Sequence, residues 1–360
     1  MVRSMSDGYP HKILIRCPNW VGDLVMATPA IKAIRKRFHQ SHVVLLVKSY
    51  GKKVIEDFPY CDEILEYDDK DKDQGVVGLF SWGMRLRREN FDLAVIFPNS
   101  FRSALIAFLA GVKRRVGYSR EGRSWMLTDP IKPVREGLTI VPMPMVEYYL
   151  RITDWLECPR LSLTPELFVS VATRQKAENI LKQCGVNGKR MTIVMIPGAA
   201  YGSSKCWKPE YFSQVADHLI EGYGCNLVIV PGPEEMQIAR IIEAKMFKRP
   251  IVLADPIVPL DVLMAIIQSS SLVITNDTGP RHFAVAFDKP VVVIMGPTDP
   301  RYTNLNLEKT IVLREDLDCS PCHLKVCPRD HRCMTAITPE RVVQATERLF
   351  NQFVKPRARN

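Results

Sequence analysis

The first half of the chain alternates short apolar runs with segments of helical periodicity. The apolar runs Lys12–Arg16, His42–Val47 and Asp92–Phe97 are rich in Val, Ile and Leu, and they predict strands. Between the first two, Thr28-Pro29 offers an N-cap residue followed by proline at the first helical position, which predicts a helix start. A succession of strand, helix and strand predicts a parallel sheet covered by helices.

The second half repeats this alternation. Four more strands are predicted, at Met191–Ile196, Asn226–Val230, Ser271–Thr275 and Val291–Ile294. Helices are predicted near Pro209–Glu221, Glu234–Phe247 and Leu260–Ser269. The sequence therefore predicts two doubly wound α/β domains.

A proline-punctuated region joins the two halves. It holds one predicted helix, Val146–Leu156, with prolines on both sides of it. We therefore expect an N-terminal domain at residues 1–165 and a C-terminal domain at residues 166–360. The closing helix, predicted at about 339–353, could pack back on the first domain.

Composition is that of a folded protein. Of the 360 residues, 46% are hydrophobic and 24% charged, which excludes a disordered or collagen-like chain. The longest uncharged stretch, Val262–Asn276, is too short and too polar to cross a bilayer. Residues 1–12 lack the apolar core of a secretory signal, so we expect a cytoplasmic protein.

The net charge of +10 indicates an anionic partner, which could be nucleic acid, a phospholipid surface or an acidic substrate. Part of the excess is concentrated between Arg85 and Arg123, where nine basic residues stand against three acidic ones. This stretch is either a solvated surface or a binding surface for anions. Charge alone does not choose among these partners.

Loops at the carboxyl ends of the predicted strands are the candidate ligand sites, as in other open α/β sheets. After the first strand, Asp23 stands just before a predicted helix, where it could cap the helix or act as a general base. The loop Pro197–Lys205 combines small residues, hydroxyls and a lysine, which suits a phosphate, although an ordinary flexible turn has similar composition.

A third loop, Asn276–Pro280, also joins a strand to a helix. The amides of Thr278 and Gly279 at the helix start favour an anion. Asp277 would repel that anion, so we expect it to hydrogen-bond sugar hydroxyls or the loop itself. By itself, His282 would be interpreted as a structural histidine.

Several of these segments together resemble glycosyltransferase family 9, the bacterial ADP-heptose:lipopolysaccharide heptosyltransferases. The resemblance covers nearly the whole chain, and the segments occur in the family's order. They are Gly22-Asp23, Ala27–Ala30, Pro197–Ala199, Lys205–Trp207, Asn276–Gly279 and Gly296–Pro300. Pro18–Asp23 and Phe97–Leu105 are most similar to the members that add the second core heptose.

This resemblance implies a GT-B architecture, in which two Rossmann-like domains face each other. The first would hold the acceptor and the second the donor. It also implies an inverting transfer of L-glycero-D-manno-heptose from ADP-heptose to the heptosyl-Kdo-lipid A inner core of lipopolysaccharide, with no cofactor required. The implied partners are ADP-heptose, the inner-core acceptor and, peripherally, the cytoplasmic face of the inner membrane, but not nucleic acid.

The resemblance also assigns roles to residues. Asp23 matches the family's general base, and Lys205 matches a residue that stabilises the leaving diphosphate. The other donor-site matches are Ser203, Ser204, Glu234 or Glu235 for ribose, Val258 for adenine, Asp277, Thr278, Gly279 and His282. The acceptor-site candidates are Asn19 and, from the basic stretch, Arg102 and Arg120, which lie near strand-to-helix or loop segments rather than mid-helix.

A cysteine-rich segment departs from this pattern. Cys319, Cys322, Cys327 and Cys333 are spaced C-x2-C-x4-C-x5-C. Four thiols in a short segment suggest a structural zinc ion, although they are not the paired knuckles of a zinc ribbon. Reduced thiols that pack a loop, or a disulfide or redox pair, are the alternatives.

Other functions are also compatible with parts of the sequence. The thiols and the positive charge would suit a zinc-containing nucleic-acid-binding protein, but the expected binding modules and interleaved aromatics are missing. The α/β alternation would suit a dehydrogenase, but no G-x-G-x-x-G follows the first strand. Within the family, another nucleotide sugar or another core position is the alternative.

Overall fold

The computed structural model describes residues 9–68 and 75–354. The chain divides into two compact units. One comprises Met1–Phe168 with Arg301–Leu305, and the other comprises Val169–Pro300 with Asn306–Asn360. The change from one unit to the other thus falls after Phe168, close to the expected boundary after Pro165.

The first unit is built on a parallel sheet of six strands. They are β1 (Lys12–Arg16), β2 (His42–Lys48), β3 (Glu63–Tyr67), β4 (Leu93–Ile96), β5 (Arg114–Tyr118) and β6 (Asp129–Ile131). The strand order is β3-β2-β1-β4-β5-β6, so the direction of winding reverses between β1 and β4. A small hairpin, β7 (Arg135–Glu136) with β8 (Thr139–Ile140), follows.

Helices connect these strands, as the alternation predicts. They are α1 (Val21–Met26), α2 (Thr28–Arg37), α3 (Ser49–Ile55), α4 (Gly75–Arg87), α5 (Phe101–Leu109) and α6 (Met145–Trp155). Proline at the start of α2 fits the predicted helix start. Proline lacks a backbone N–H, and in the first helical turn that group would have no partner within the helix.

The second unit repeats the topology. Its strands are β9 (Thr192–Ile196), β10 (Asn226–Ile229), β11 (Ile251–Val252), β12 (Leu272–Asn276), β13 (Val291–Ile294) and β14 (Thr310–Leu313). They pair in the order β11-β10-β9-β12-β13-β14, with the reversal between β9 and β12. Two doubly wound, Rossmann-like sheets are therefore confirmed.

The helices of the second unit lie between and after its strands. They are α7 (Val171–Gln183), α8 (Pro209–Tyr223), α9 (Met236–Lys245), α10 (Leu260–Ser269), α11 (Gly279–Ala286), α12 (Arg332–Thr335) and α13 (Pro339–Leu349). Within residues 9–68 and 75–354, none of the helices is both long and apolar enough to span a bilayer.

The closing helix α13 belongs to the second unit. It packs on α8, β13 and β14, all within the second unit. Val342, Ala345 and Leu349 on its buried face join the core cluster of that unit, together with Phe212 of α8. The buried face of α13 is thus part of the core of the second unit.

Candidate active site

Asp23 lies in the first turn of α1, just beyond the carboxyl end of the central strand β1. Its half-buried carboxylate is hydrogen-bonded to the hydroxyl of Tyr149, a buried residue of α6. Burial and the Asp23 charge raise the pKa of Tyr149 well above its usual value. The tyrosine therefore stays protonated and donates a hydrogen bond to the carboxylate, which fixes the orientation of Asp23.

Sequence reasoning missed Tyr149. The helix that carries it was predicted, but nothing in the local pattern distinguishes Tyr149 from a packing residue. Its ring does pack, at 5.1 Å from the ring centroid of Phe97 and 5.9 Å from that of Tyr148. The packing of α6 on α1, which the sequence does not reveal, brings the Tyr149 hydroxyl to Asp23.

Three cationic side chains surround the ring of Tyr67, the last residue of β3. The charged groups of Lys48, Arg16 and Arg102 lie 4.8, 5.3 and 5.7 Å from the ring centroid. Arg102 Nε also donates to the Tyr67 hydroxyl, at 2.5 Å. Arg16 and Lys48 are buried at the carboxyl ends of β1 and β2. This concentration of positive charge suits an anionic ligand.

Asn19 is linked to the same cationic group. Its side-chain oxygen accepts a hydrogen bond from Arg16, at 2.6 Å, and its backbone carbonyl accepts one from the Tyr50 hydroxyl. The structure thus brings two predicted acceptor residues, Asn19 and Arg102, into one group through Arg16. Sequence reasoning overlooked Arg16 and Lys48, although a basic residue that ends a buried strand was a usable signal.

Arg120 belongs to a separate group, beyond the end of β5. Its side chain is hydrogen-bonded to the Tyr148 hydroxyl, which donates to Asn99 Oδ1 at 2.8 Å. The Tyr148 ring stacks on Tyr118, with 4.0 Å between centroids. Arg120 is therefore placed by a stacked aromatic pair rather than by the Tyr67 group.

Asp277 is the centre of the candidate site in the second unit. The buried carboxylate accepts from Lys205 Nζ at 2.8 Å, from Arg281 NH1 at 2.7 Å and from the Thr298 hydroxyl at 2.6 Å. Burial alone would raise the pKa of Asp277, but Arg281 and Lys205 hold it well below its usual range. The Asp277 carboxylate is thus hydrogen-bonded to three side chains that lie outside its own loop.

Lys205 is oriented by this carboxylate. It ends a short 3-10 helix, Ser203–Lys205, and its ammonium also donates to the backbone carbonyl of Asp277 at 2.9 Å. The buried Arg281 completes the group, and sequence reasoning missed it. The signal was the spacing of Asp277 and Arg281, four residues apart across the start of α11.

The start of α11 holds three more predicted residues. Thr278 is its N-cap and Gly279 its first residue, followed by Pro280 in the first turn. His282 is buried one turn further on, and burial together with the Arg281 charge lowers its pKa to about 3. His282 is therefore neutral near pH 7 and adds no positive charge to the site.

The two serines before Lys205 differ in their surroundings. Ser203 is exposed, whereas Ser204 is buried and its hydroxyl donates to the carbonyl of Leu324. The Ser204 amide donates to the Lys325 carbonyl at 3.0 Å. The hydroxyl proton of Ser204 is therefore already engaged within the protein, whereas Ser203 is exposed.

The two glutamates also differ. Glu234 is exposed, but the Glu235 carboxylate accepts from the Gly232 amide at 2.7 Å and lies over Gly198. A Cβ added to Gly198 would meet the Glu235 carboxyl carbon at 1.7 Å, so a larger residue there would displace the carboxylate. Val258 is half-buried in the loop between β11 and α10.

The four cysteines of the 319–333 segment carry free thiols. Burial and the neighbouring thiols Cys327, Cys322 and Cys319 raise the pKa of Cys333 to about 11. Among the described residues, however, no three His, Cys, Asp or Glu side chains are arranged to ligate a metal ion. The side chains as placed do not fit a zinc ion, and zinc stays a prediction.

The same segment supports the loop of the candidate donor site. His331 Nε2 is hydrogen-bonded to the Ser204 carbonyl at 2.7 Å, and the Tyr201 hydroxyl donates to the His323 carbonyl. A Cβ at Gly202 would lie 2.3 Å from the Lys325 carbonyl oxygen. The cysteine-rich segment thus packs directly on the loop that carries Lys205.

Comparison with known proteins identifies the class. Residues 79–332 match glycosyltransferase family 9 (heptosyltransferase), and the chain belongs to this family. It is 26% identical over 357 residues to lipopolysaccharide heptosyltransferase 2 of Escherichia coli K12, which covers 95% of this chain and 99% of that protein. It is 28% identical over 317 residues to lipooligosaccharide heptosyltransferase 2 of Haemophilus influenzae, with 84% and 88% covered.

Solved structures agree with this assignment. The structure of E. coli ADP-heptose lipopolysaccharide heptosyltransferase II has a TM-score of 0.77 and 25% identity, with 95% of this chain and 99% of that chain covered. A glycosyltransferase family 9 protein of Veillonella parvula has a TM-score of 0.83 at 21% identity, with 95% and 98% covered. These matches confirm the GT-B fold class and the resemblance to family 9, including its heptosyltransferase 2 members.

Proposed function

We propose that this enzyme transfers L-glycero-D-manno-heptose from ADP-heptose to the heptosyl-Kdo-lipid A inner core of lipopolysaccharide. The similarity to heptosyltransferase 2 proteins along nearly the whole chain supports the substrates. The observation that carries the chemistry is the Asp23 carboxylate, held by Tyr149 at the carboxyl end of the central strand of the first unit. Ligands of doubly wound sheets bind at this kind of position.

In this mechanism, Asp23 accepts the proton of the acceptor hydroxyl. The acceptor oxygen then attacks the anomeric carbon from the face opposite ADP, the new C–O bond forms, and the bond to the diphosphate breaks. ADP leaves with the electron pair, so the configuration at the anomeric carbon inverts. The hydrogen bond from Tyr149 would hold the carboxylate in one orientation for this step.

The donor would be held by the second unit. Lys205 and the start of α11, with Thr278 and Gly279, would stabilise the charge that grows on the leaving diphosphate. Asp277 and Arg281 position Lys205, while the exposed Ser203 rather than Ser204 would add a hydroxyl contact. Lysine and amide groups supply the charge stabilisation, so the proposal contains no metal step.

The nucleoside would bind along the neighbouring strand ends of the same unit. We assign Glu235 rather than Glu234 to the ribose, because its carboxylate lies between the loops that follow β9 and β10. The backbone of Val258 would read the adenine. Neutral His282 would complete the wall of the donor site.

The acceptor would be held by the first unit. The Kdo carboxylates and lipid A phosphates are anions, and guanidinium groups bind such anions through charge-assisted, often bidentate hydrogen bonds. Arg102, near Arg16 and Lys48, and the separate Arg120 provide these groups. An acceptor of this kind would place the enzyme at the cytoplasmic face of the inner membrane.

A double substitution of Arg102→Gln and Arg120→Gln should raise the acceptor KM about tenfold or more and leave ADP affinity unchanged, because only acceptor contacts are lost. The salt dependence of turnover should weaken, since exposed charges are screened within about 8–10 Å. Steady-state kinetics at several salt concentrations measure both effects. Arg174→Gln, an exposed arginine of the second unit, is the matched control. An unchanged acceptor KM would remove these arginines from the acceptor site.

A transfer assay tests the function itself. Purified protein is incubated with ADP-heptose and either Kdo-lipid A or its mono-heptosylated form, and products are identified by mass spectrometry. We expect one heptose to be added to the mono-heptosylated acceptor. Transfer only to the other acceptor, or only from another nucleotide sugar, would support the alternative within the family. ADP should raise the melting temperature, while NAD and random oligonucleotides should not.

The zinc hypothesis has its own test. If Cys319, Cys322, Cys327 and Cys333 rearrange to bind zinc, elemental analysis of protein purified without a metal-affinity step should find about one equivalent, and chelation should lower the melting temperature. Four reactive thiols with far less than one equivalent of metal would instead show that these cysteines pack the loop.

A further inference from the structure

Helix α4 carries apolar residues on two opposite faces. Leu79, Trp82 and Leu86 are buried in the core of the first unit. Val77, Phe80 and Met84 are exposed to 82%, 56% and 40%. Their spacing of three and four residues places them in one stripe along the outer face of the helix. In a surface helix, only the apolar residues that face the core contribute to folding. The apolar residues on the outer face of α4 therefore need another explanation.

Neighbouring elements extend this stripe. Phe101 and Phe108 on the outer side of α5 are 42% and 39% exposed, and Trp125 in a 3-10 turn is 62% exposed. The Trp125 ring lies 6.3 Å from the ring of Phe101 and 5.3 Å from that of Phe108. The three aromatic residues therefore form a contiguous patch rather than isolated exposures.

Both parts lie on one side of the first unit. Helices α4 and α5 are in direct contact, because a Cβ on Gly83 would meet Leu109 Cβ at 2.5 Å. Trp82 of α4, Ala104 of α5 and Met126 of the 3-10 turn all join the same core cluster under these elements. We call the outer surface the α4–α5 face. It consists of Val77, Phe80, Met84, Phe101, Phe108 and Trp125.

Basic residues border this face. Arg85, Arg87 and Arg88 are exposed at the end of α4. The Arg85 guanidinium lies 4.6 Å from the Trp82 ring, and that of Arg115 lies 5.5 Å from the Phe108 ring. Long cationic side chains that pack on aromatic rings keep their charged ends at the border of an apolar surface. Aromatic residues beside arginines are typical of surfaces that meet lipid headgroups.

We propose that the α4–α5 face docks on a bilayer that contains anionic lipids, with its aromatic side chains at the headgroup level and the three arginines at the end of α4 (Arg85, Arg87 and Arg88) against lipid phosphates. This proposal rests on the proposed function, in which the acceptor is a membrane lipid. The positive charge beside this face favours an anionic bilayer over a second copy of the chain as its partner. A symmetric dimer would bring the two sets of arginines together, whereas an anionic surface complements them.

Vesicle binding of the full-length protein tests the docking surface. Flotation with vesicles that contain phosphatidylglycerol is compared with flotation with phosphatidylcholine vesicles. The double variant Phe80→Asp with Trp125→Asp should bind phosphatidylglycerol vesicles at least about tenfold more weakly than the wild type. The control is Phe247→Asp, which changes a 95% exposed phenylalanine of the second unit and should bind as the wild type does. Melting temperatures verify that each variant folds.

The charge is tested separately. Arg85→Gln, Arg87→Gln and Arg88→Gln together should lower affinity for phosphatidylglycerol vesicles about tenfold to hundredfold and reduce its salt dependence. Binding to phosphatidylcholine vesicles should change little. If the aspartate variant binds phosphatidylglycerol vesicles as tightly as the wild type, the proposal is wrong. It is equally wrong if those substitutions only convert a dimer to a monomer in sedimentation experiments.

Two acceptors separate docking from chemistry. The aspartate variant should lose transfer to an acceptor embedded in vesicles but keep the wild-type rate on a soluble, delipidated core oligosaccharide. Equal losses on both acceptors would overturn the docking role. If the wild type transfers heptose to neither acceptor, the proposed function fails, while vesicle binding still decides the docking surface.

Discussion

The variant Asp23→Asn should fold, bind ADP with the wild-type affinity and lose a factor of order 10²–10⁴ in turnover. An asparagine has nearly the same shape, and its side-chain oxygen can still accept the hydrogen bond from Tyr149. It cannot take the proton of the acceptor hydroxyl. Calorimetry with ADP and kinetics with the lipopolysaccharide acceptor measure the two quantities. Wild-type turnover in this variant would remove Asp23 from the role of base.

Two further variants make this result specific. Asp57→Asn neutralises an exposed carboxylate of the same unit and should leave turnover unchanged. Tyr149→Phe removes only the hydroxyl that donates to Asp23. Because that hydrogen bond orients the carboxylate, its loss should lower kcat and leave the ADP affinity at the wild-type value. A tyrosine that takes no part in orienting Asp23 would leave kcat unchanged.

The central strands were predictable because they are buried on both faces. Every residue of β4 and β13 is buried, and such strands appear in the sequence as continuous apolar runs. The edge strands escaped prediction. Glu63 and Glu66 interrupt the apolar pattern of β3. This strand lies at the edge of the sheet, where side chains are less buried than in a central strand. In β6, Pro130 argues against a strand, although an edge position tolerates it.

The positions of the candidate site residues at strand ends were predictable, but their hydrogen-bond partners were not. Asp23 and Lys205 were singled out because they follow strands of doubly wound sheets, where ligands bind. Tyr149 comes from a helix on a different part of the chain, and only packing brings it to Asp23. The hydroxyl of Ser204 likewise depends on the carbonyl of Leu324, which a distant loop supplies. Local sequence patterns indicate helices, strands and candidate chemical groups, but they do not show which distant segments come into contact.

Lys205→Ala should lower kcat/KM by about 10²–10³ and weaken ADP binding about tenfold. The diphosphate is charged in the ground state and gains charge as the glycosidic bond breaks, so both quantities should fall. Asp277 would keep its hydrogen bonds from Arg281 and Thr298, and we therefore expect the variant to fold. Calorimetry with ADP and steady-state kinetics give the two numbers.

The matched control is Lys208→Ala. This lysine is three positions further along, exposed, and near the ring of Tyr211 rather than a carboxylate. It removes the same charge from the same segment, so a general electrostatic effect would act on both variants alike. If the contact with the leaving diphosphate is direct, only Lys205→Ala should affect kcat and ADP affinity together. Equal behaviour of the two variants, or an unchanged ADP affinity in Lys205→Ala, would show that Lys205 serves only to pair with Asp277.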